Sequence, residues 1–368
     1  MTETNLRKED HIRLCLEQDI QARSVKTGFE EVFFIHRALP ENRIEDIDLT
    51  TTLFNHRLSA PIIIEAMTGG TEKAARINAT LAEAAEALGL AMGVGSQRVA
   101  IENPDVAYTF KIVRKKAPNT FLIANLGAAQ IKEYDLKTIK KSVEMIDANA
   151  LAFHLNPLQE IIQPEGNSNY QGLLKKLEKI TSSTSIPIIA KETGAGIAAE
   201  ESRYLEAVGV QGIDVSGAGG TSWAAVETWR AKAAKNNLHS QLGETFWDWG
   251  IPTVVSLVEV RQSVHIRVIA SGGLKTGLDA AKAISLGADA AGFAYHLLRP
   301  AVEGKVMETL DLLIHELKTA MFLIGTKSIT ELKASPVVIM GKTAQWLGAR
   351  GYHPEEYARR TKRGKRVV

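Results

Sequence analysis

"IRVIASGGLKTGLDAAKAISLGADAAGFA", residues 266 to 294, contains a complete unit of structure. "IRVIAS" (266 to 271) is a short, nearly continuous apolar run, "GLDAAKAISLGA" (277 to 288) has helical period, and "DAAGFA" (289 to 294) is apolar again. A strand too apolar to face water on either side, then an amphipathic helix, then another such strand, implies parallel pairing with both faces of the sheet covered.

The same alternation runs upstream from residue 60. The earlier apolar runs are "APIIIEAM" (60 to 67), "LAMGVG" (90 to 95), "TFLIANL" (120 to 126), "ALAFHL" (150 to 155), "IPIIAK" (186 to 191) and "GIDVS" (212 to 216). Helical patterns lie between them, at 72 to 89, 103 to 117 and 172 to 183 among others. Eight strand-helix units predict an α/β fold, a (β/α)8 barrel rather than an open doubly wound sheet. The barrel is expected over 60 to 326, with an N-terminal extension (1 to 59) and a C-terminal extension (327 to 368) on a single domain spanning 1 to 368. Between the sixth and seventh strands the spacing is longer, and the excess, 217 to 250, carries four of the five tryptophans. A loop of this length is expected to be functional or at an interface, with Trp247 and Trp249 covering the barrel mouth or packing between subunits.

Composition agrees with a folded globular chain: 45% hydrophobic and 23% charged residues over 368 positions. The net charge of +2 argues against nucleic-acid binding, although "RRTKRGKR" (359 to 366) is locally basic and reads as a solvated tail. No apolar run reaches the ~18 residues of a membrane span, and the first residues have no apolar signal core, so a cytoplasmic location without membrane insertion is expected. The single cysteine, Cys15, excludes an intrachain disulfide framework and a Cys-rich zinc site, and its helical surroundings mark it as structural.

In such a barrel the reacting groups stand at the C-terminal ends of the strands. In chain order those ends deliver Met67-Thr68-Gly69-Gly70, Ser96-Gln97-Arg98, Asn125, His154 with Asn156, Lys191, Ser216, Gly272-Gly273 with Lys275, and Ala294-Tyr295. Glycines in "SGAGG" (216 to 220) and "SGG" (271 to 273) open backbone N–H groups where barrels usually hold phosphate. A phosphate there, with Asn125 and Lys191 across the mouth, suits FMN, whose reduced ring a lysine near N1 and O2 would stabilise. No GxGxxG follows an early strand, which argues against a Rossmann domain.

Several motifs, "RKEDHI" (7 to 12), "MTGG" (67 to 70), "GSQR" (95 to 98), "HLNPLQEIIQPEG" (154 to 166), "KETGAG" (191 to 196), "DVSGAGGTSW" (214 to 223) and "ASGGLKTGLDAAKAISLGAD" (270 to 289), resemble those of type 2 isopentenyl-diphosphate isomerases over about residues 7 to 350. The resemblance implies interconversion of isopentenyl and dimethylallyl diphosphates on FMN reduced by NADPH or NADH, with Mg2+ on the diphosphate, in a homotetramer or homo-octamer. It implies FMN contacts at Ala66, Met67, Thr68, Ser96, Asn125, Lys191, Ser216, Thr221, Gly273, Leu274, Lys275, Ala294 and Tyr295. Substrate contacts would be Arg7, Lys8, Ser96, Gln97, Arg98, His154 and Gln159, and Glu160 would be the magnesium ligand. Lys275, where arginine is common, and Tyr295 are departures that touch only the hold on the FMN phosphate.

Moving a double bond by one carbon needs a proton delivered at one carbon and another removed from the allylic position, with the cation-like species shielded from water. The reduced flavin is expected to be the main acid/base group. His154 is expected to donate to the diphosphate, and Gln159, which cannot titrate, to orient or relay; both are supporting catalytic residues. Glu160 offers the hard oxygen that Mg2+ prefers. An FMN-dependent 2-hydroxy-acid oxidase would need a histidine and an arginine after the sixth strand, where this chain has "SGAGGTSW". An inosinate-type dehydrogenase would need a loop cysteine. A non-catalytic flavin or phosphate scaffold is opposed by Gln159 and Glu160 standing beside a complete cofactor site.

Overall fold

The computed structural model describes residues 3 to 360. Of the basic C-terminal segment only Arg359 and Arg360 fall in that range; the rest lies outside the described residues. Strands β1 (Ile62–Ile64), β2 (Ala91–Gly93), β3 (Leu122–Gly127), β4 (Ala150–Leu155), β5 (Ile188–Glu192), β6 (Gly212–Asp214), β7 (Arg267–Ala270) and β8 (Ala290–Phe293) close into a barrel, each parallel to its neighbours. Closure is made where Ile62 to Ile64 of β1 pair with Ala291 to Phe293 of β8. The expected strands all form, trimmed by a residue or two at most ends.

The helices follow from local chemistry. In the stretch that decides the fold, Thr276 caps Gly277–Ser285, and its N3 residue Asp279 reaches back in a capping box. Helix Glu72–Leu88 starts at Thr71, whose hydroxyl accepts from the Ala74 amide, and stops at Gly89 in the left-handed region.

Two cores result. One fills the space between helices and strands; the other is inside the barrel, where Ile63, Ile123, Ile189 and Ile269 meet. Each such buried side chain stabilises the fold by roughly 1.5 to 3 kcal/mol. The barrel's lower end is plugged by a hairpin, Thr51–Leu53 with His56–Leu58, whose turn places Phe54 on Phe121 at 6.1 Å between ring centroids. Gly212 on β6 makes room for it, since a Cβ there would stand 2.6 Å from the Phe54 ring. With the bottom plugged, the cavity can open only at the top. The two chain extensions meet as well, Val32–Phe34 pairing antiparallel with Val337–Ile339.

Residues 217 to 250 differ from the expected long loop. They fold mainly into two helices, Trp223–Ala233 and Asn237–Thr245, because Ser222 and Asn236 supply N-caps to alanine-rich and polar runs with few breakers. Trp247 is buried against Leu14 and Ile20, under the Arg23 guanidinium, while Trp249 is exposed.

Candidate active site

One cavity of about 530 Å³ opens at the C-terminal ends of the strands. The N-terminal helix Glu3–Glu17 lies against helices Trp223–Ala233 and Tyr295–Glu303, and so brings Arg7, Lys8 and His11 to the cavity from outside the barrel. Every residue expected at the site lines this cavity except Gln97. The Gln97 side chain is fully buried and turned away: its amide nitrogen donates to Ser142 O at 2.8 Å and its oxygen accepts from the Asn125 amide at 2.9 Å. It is a strut between β3 and the neighbouring helix. As a substrate contact it is corrected, because both ends of its amide are already committed to backbone.

The wall made by β1 to β3 presents Ala66, Met67, Thr68, Ser96 and Asn125. Thr68 Oγ1 is buried without a hydrogen-bond partner, which costs roughly 1 to 3 kcal/mol unless something in the cavity completes it. Opposite lie Ser216, Thr221, Gly273 and Leu274. The loops after β6 and β7 touch backbone to backbone there: a Cβ on Gly220 would fall 2.4 Å from the Gly273 Cα. Helix Tyr295–Glu303 begins at Ala294 with no side-chain cap, leaving first-turn N–H groups for an anion. The backbone amide of Lys275 is spoken for by Asp279 at 3.0 Å, so only its exposed side chain is available to such an anion.

At the mouth of β4, Asn125 Nδ2 donates to Val94 O at 3.1 Å, so its Oδ1 faces His154 Nδ1 at 2.9 Å and that nitrogen carries the hydrogen. Burial, then Lys8, Lys191 and Arg7, push His154 down to about 3. The ring is neutral and its Nε2 is an acceptor. The expected donation to a phosphate therefore requires a second proton.

Gln159 is held at both ends. Its oxygen accepts from Asn156 Nδ2 at 3.0 Å, and its nitrogen donates to Glu227 Oε1 at 2.9 Å. The same oxygen receives His11 Nε2 at 3.1 Å, and Arg230 donates to Glu227 Oε2 at 2.6 Å. Burial would raise Glu227, but His11, Arg230 and Gln159 hold it down at about 2. His11 is pushed down mainly by burial, against Glu227, and packs edge-on to Trp223 at 5.1 Å. The result is a buried chain, His11–Glu227–Gln159, reaching the cavity wall. Sequence reading missed His11, Glu227 and Trp223; the signal was a carboxylate on an otherwise apolar helical face, in a segment read as loop.

Glu160 is buried, accepting from Asn156 Nδ2 at 3.2 Å and from the Asn167 amide at 2.6 Å. Among the described residues no group of three or more His, Cys, Asp and Glu could hold a metal ion. A cation at Glu160 would therefore depend on ligand oxygens and water. Arg7 and Lys8 stand across from it. Among the described residues neither makes an ion pair, Arg7 Nε has no partner, and Lys8 reaches only Ser96 O at 3.4 Å. Burial, then Arg7 and Arg98, push Lys8 down to about 7. Arg98 is paired with Glu102 at 2.6 Å.

Beneath these walls Lys191 Nζ sits between Glu65 and Asp214, at 2.9 and 2.5 Å. Cys15 also lines the cavity, its thiol pushed up to about 12 by burial and Glu227, which keeps it protonated.

The chain matches the family model of FMN-dependent dehydrogenases over residues 3–134 and 159–339. It is 49% identical to an isopentenyl-diphosphate delta-isomerase of Methanosarcina acetivorans, across 96% of this chain and 97% of that one. It is equally identical to that of Methanothermobacter thermautotrophicus, over 96% and 99%. The Pyrococcus furiosus protein of the same name is 45% identical over 95% and 90%. Among solved structures, a mandelate oxidase with (S)-2-phenylpropionate superposes with a TM-score of 0.61 at 19% identity, over 91% of this chain and 97% of that one. That likeness concerns the fold. No helix among the described residues is long and apolar enough to cross a membrane.

Proposed function

The chain belongs to the isopentenyl-diphosphate delta-isomerases of the FMN-dependent, type 2 kind, and from that premise we propose how its residues divide the reaction. It is an isomerase of isoprenoid biosynthesis. In our reading it interconverts isopentenyl and dimethylallyl diphosphates, with FMN reduced by NADPH or NADH and Mg2+ on the diphosphate.

The observation that carries the reading is the cation pair Arg7 and Lys8, which among the described residues makes no ion pair and faces a cavity whose other walls fit a flavin. Buried charges are normally paired, so these two await an anion of comparable charge. Together with Arg98 they would take the diphosphate. Arg7 and Lys8 arrive on the N-terminal helix, so substrate binding and closure of the cavity from water are coupled.

The residues present fit FMN: an orphaned Thr68 hydroxyl, a glycine cradle after β6 and β7, and an uncapped helix start at Ala294. Ala66, Met67, Thr68 and Asn125 would meet the ring, Lys191 its N1 and O2 edge, and Gly273, Leu274, Ala294 and Tyr295 the phosphate end. Reduced and bound, FMN would supply an electron-rich face and the principal acid/base atom.

The chain's own part is positioning. Gln159, pinned by Asn156 and Glu227, orients the reacting carbons' neighbourhood, and Glu227 ties it to His11. Trp223 closes this wall with an apolar face that keeps water from the cation. His154, neutral before binding, presents Nε2 toward the diphosphate and would donate from it only once a proton is added there. Glu160 would offer Mg2+ a single carboxylate, so a cation there would depend on the diphosphate as well as on this side chain.

An anaerobic assay with FMN, NADPH, Mg2+ and isopentenyl diphosphate tests this. Dimethylallyl diphosphate should form only with the flavin reduced and Mg2+ present. A reduced holoenzyme that yields none refutes the reading.

A further inference from the structure

The floor of the cavity holds three charged groups, of which the reading above uses one. Lys191 Nζ contacts Glu65 Oε2 at 2.9 Å and Asp214 Oδ2 at 2.5 Å, and it also reaches Ser271 Oγ at 3.3 Å. Ser271 Oγ donates to Asp214 Oδ1 at 2.6 Å. Asp214 thus has a donor on each oxygen, while Glu65 has the ammonium and an Asp214 oxygen within hydrogen-bonding reach, a contact that favours a proton on Glu65. All three ionisable side chains are buried, with Glu65 5% and Asp214 1% exposed.

Two carboxylates facing one ammonium in such a medium leave an uncompensated negative charge, and like charges there repel strongly. Burial and Asp214 push Glu65 up to about 7, against the pull of Lys191. The fold makes specific room for this side chain. A Cβ on Gly292 of β8 would lie 2.1 Å from Glu65 Oε1, so that strand carries glycine where Glu65 turns inward. The titratable groups facing Glu65 are Lys191 on β5 and Asp214 on β6; Ser271 and Gly292, from the end of β7 and from β8, are neutral.

We propose that Glu65 is a positioning residue that sets the charge of the cavity floor by binding a proton when the flavin above Lys191 becomes negatively charged. This rests on the flavin placement given under Proposed function. Hydride transfer from the dihydronicotinamide oxidises that cofactor and adds two electrons and one proton to FMN. A second proton comes from solvent and forms the O–H bond on Glu65. With Glu65 neutral, Lys191 and Asp214 remain as a balanced pair under the anionic ring; with Glu65 ionised, the floor would oppose that ring.

Redox titration of the FMN holoenzyme across about pH 6 to 8, around the Glu65 value, measures the protons taken up per two electrons from the slope of the midpoint potential. The wild type should approach two protons on the alkaline side of Glu65. Glu65→Gln, whose amide oxygen keeps the Lys191 contact without titrating, should take up one. An infrared difference spectrum of the wild type, reduced minus oxidised, needs no variant and should show an ionised carboxylate lost and a protonated carboxyl gained. Equal slopes in the two proteins, or no such carboxyl change in the wild type, overturn this role for Glu65 alone. A wild-type chain that binds no FMN, visible in its absorbance before any titration, overturns the flavin placement and the Glu65 role with it.

Discussion

Lys8, half-buried on the wall, and Lys191, buried in the floor, are lysines of one cavity, and they respond in opposite directions. Burial, then Arg7 and Arg98, push Lys8 down to about 7. Burial pulls on Lys191 as well, but Asp214 and Glu65 more than offset it and hold it above the ordinary lysine value. The difference lies in what the fold supplies. Lys191 stands on a rigid strand whose neighbours bring its counter-charges, so its charge is settled when the chain folds. Lys8 comes in on a helix from outside the barrel and is left facing other cations. A buried charge satisfied by the protein is architecture; one left unsatisfied marks where a ligand of opposite sign belongs.

The largest effect should come from breaking the satisfied member. Lys191→Met leaves Glu65 and Asp214 buried together without their ammonium, and removing one partner of a buried ion pair costs about 3 to 5 kcal/mol. Urea unfolding at pH 8, above the Glu65 value, should show that loss together with weakened FMN binding. A loss below about 1 kcal/mol would mean that the ammonium is not what satisfies the two carboxylates.

Lys8→Met should do the reverse. Methionine keeps the apolar stem and removes an unpaired charge, so the ligand-free protein should be as stable as wild type or more so. The sign follows from linkage. The folded value is lowered from the unfolded ~10.4, so between about 7 and 10.4 the native state holds fewer protons and stability rises with pH. The penalty is fully present below about 7. The gain from Lys8→Met should therefore be greatest near pH 6 and vanish near the unfolded value. Its KM for isopentenyl diphosphate should rise on the order of 100-fold, the scale of one lost charge-assisted contact to phosphate, with kcat changed far less. Lower stability at pH 6 would break the contrast between the two lysines.

Much of this site was legible because strands announce their own ends: the apolar runs locate the eight strands, and the residue after each is the one the cavity receives. What stayed hidden depends on partners distant in sequence. Glu65 and Asp214 sit in "IIIEAM" and "GIDVS", where a single acid inside an apolar strand gives no hint that both turn toward Lys191. Glu227 lies in a segment whose length, not its helical period, governed the reading. Arg7 and Lys8 were assigned by resemblance alone, since nothing local says that an N-terminal helix crosses to the barrel mouth. Gln97 shows the opposite failure: it stands beside two residues that line the cavity, yet its own side chain turns inward.

Gln97 gives a smaller effect that separates scaffold from site. Gln97→Leu should strip a partner from Ser142 O and from the Asn125 amide and cost about 1 to 3 kcal/mol on thermal or urea unfolding. KM for the diphosphate should stay within about twofold, since the side chain does not meet the cavity. A large KM change at unchanged stability would restore Gln97 to the substrate wall.

The smallest signal is a fraction of a proton, and it divides the cationic wall between its two titrating members. Isopentenyl diphosphate binding to the oxidised holoenzyme, which on the proposed mechanism should bind without turnover, can be followed by calorimetry at pH 8 in buffers of different ionisation enthalpy. At that pH Lys8, standing at about 7 without a ligand, is mostly neutral. The incoming anion restores its ordinary value, so nearly one proton should be taken up with the diphosphate. His154 begins far lower, at about 3, and needs a much larger shift to contribute. Uptake should therefore fall sharply in Lys8→Met. If it persists undiminished, the proton goes to His154 Nε2 instead, and the ring hydrogen-bonded to Asn125 is the group that answers the diphosphate.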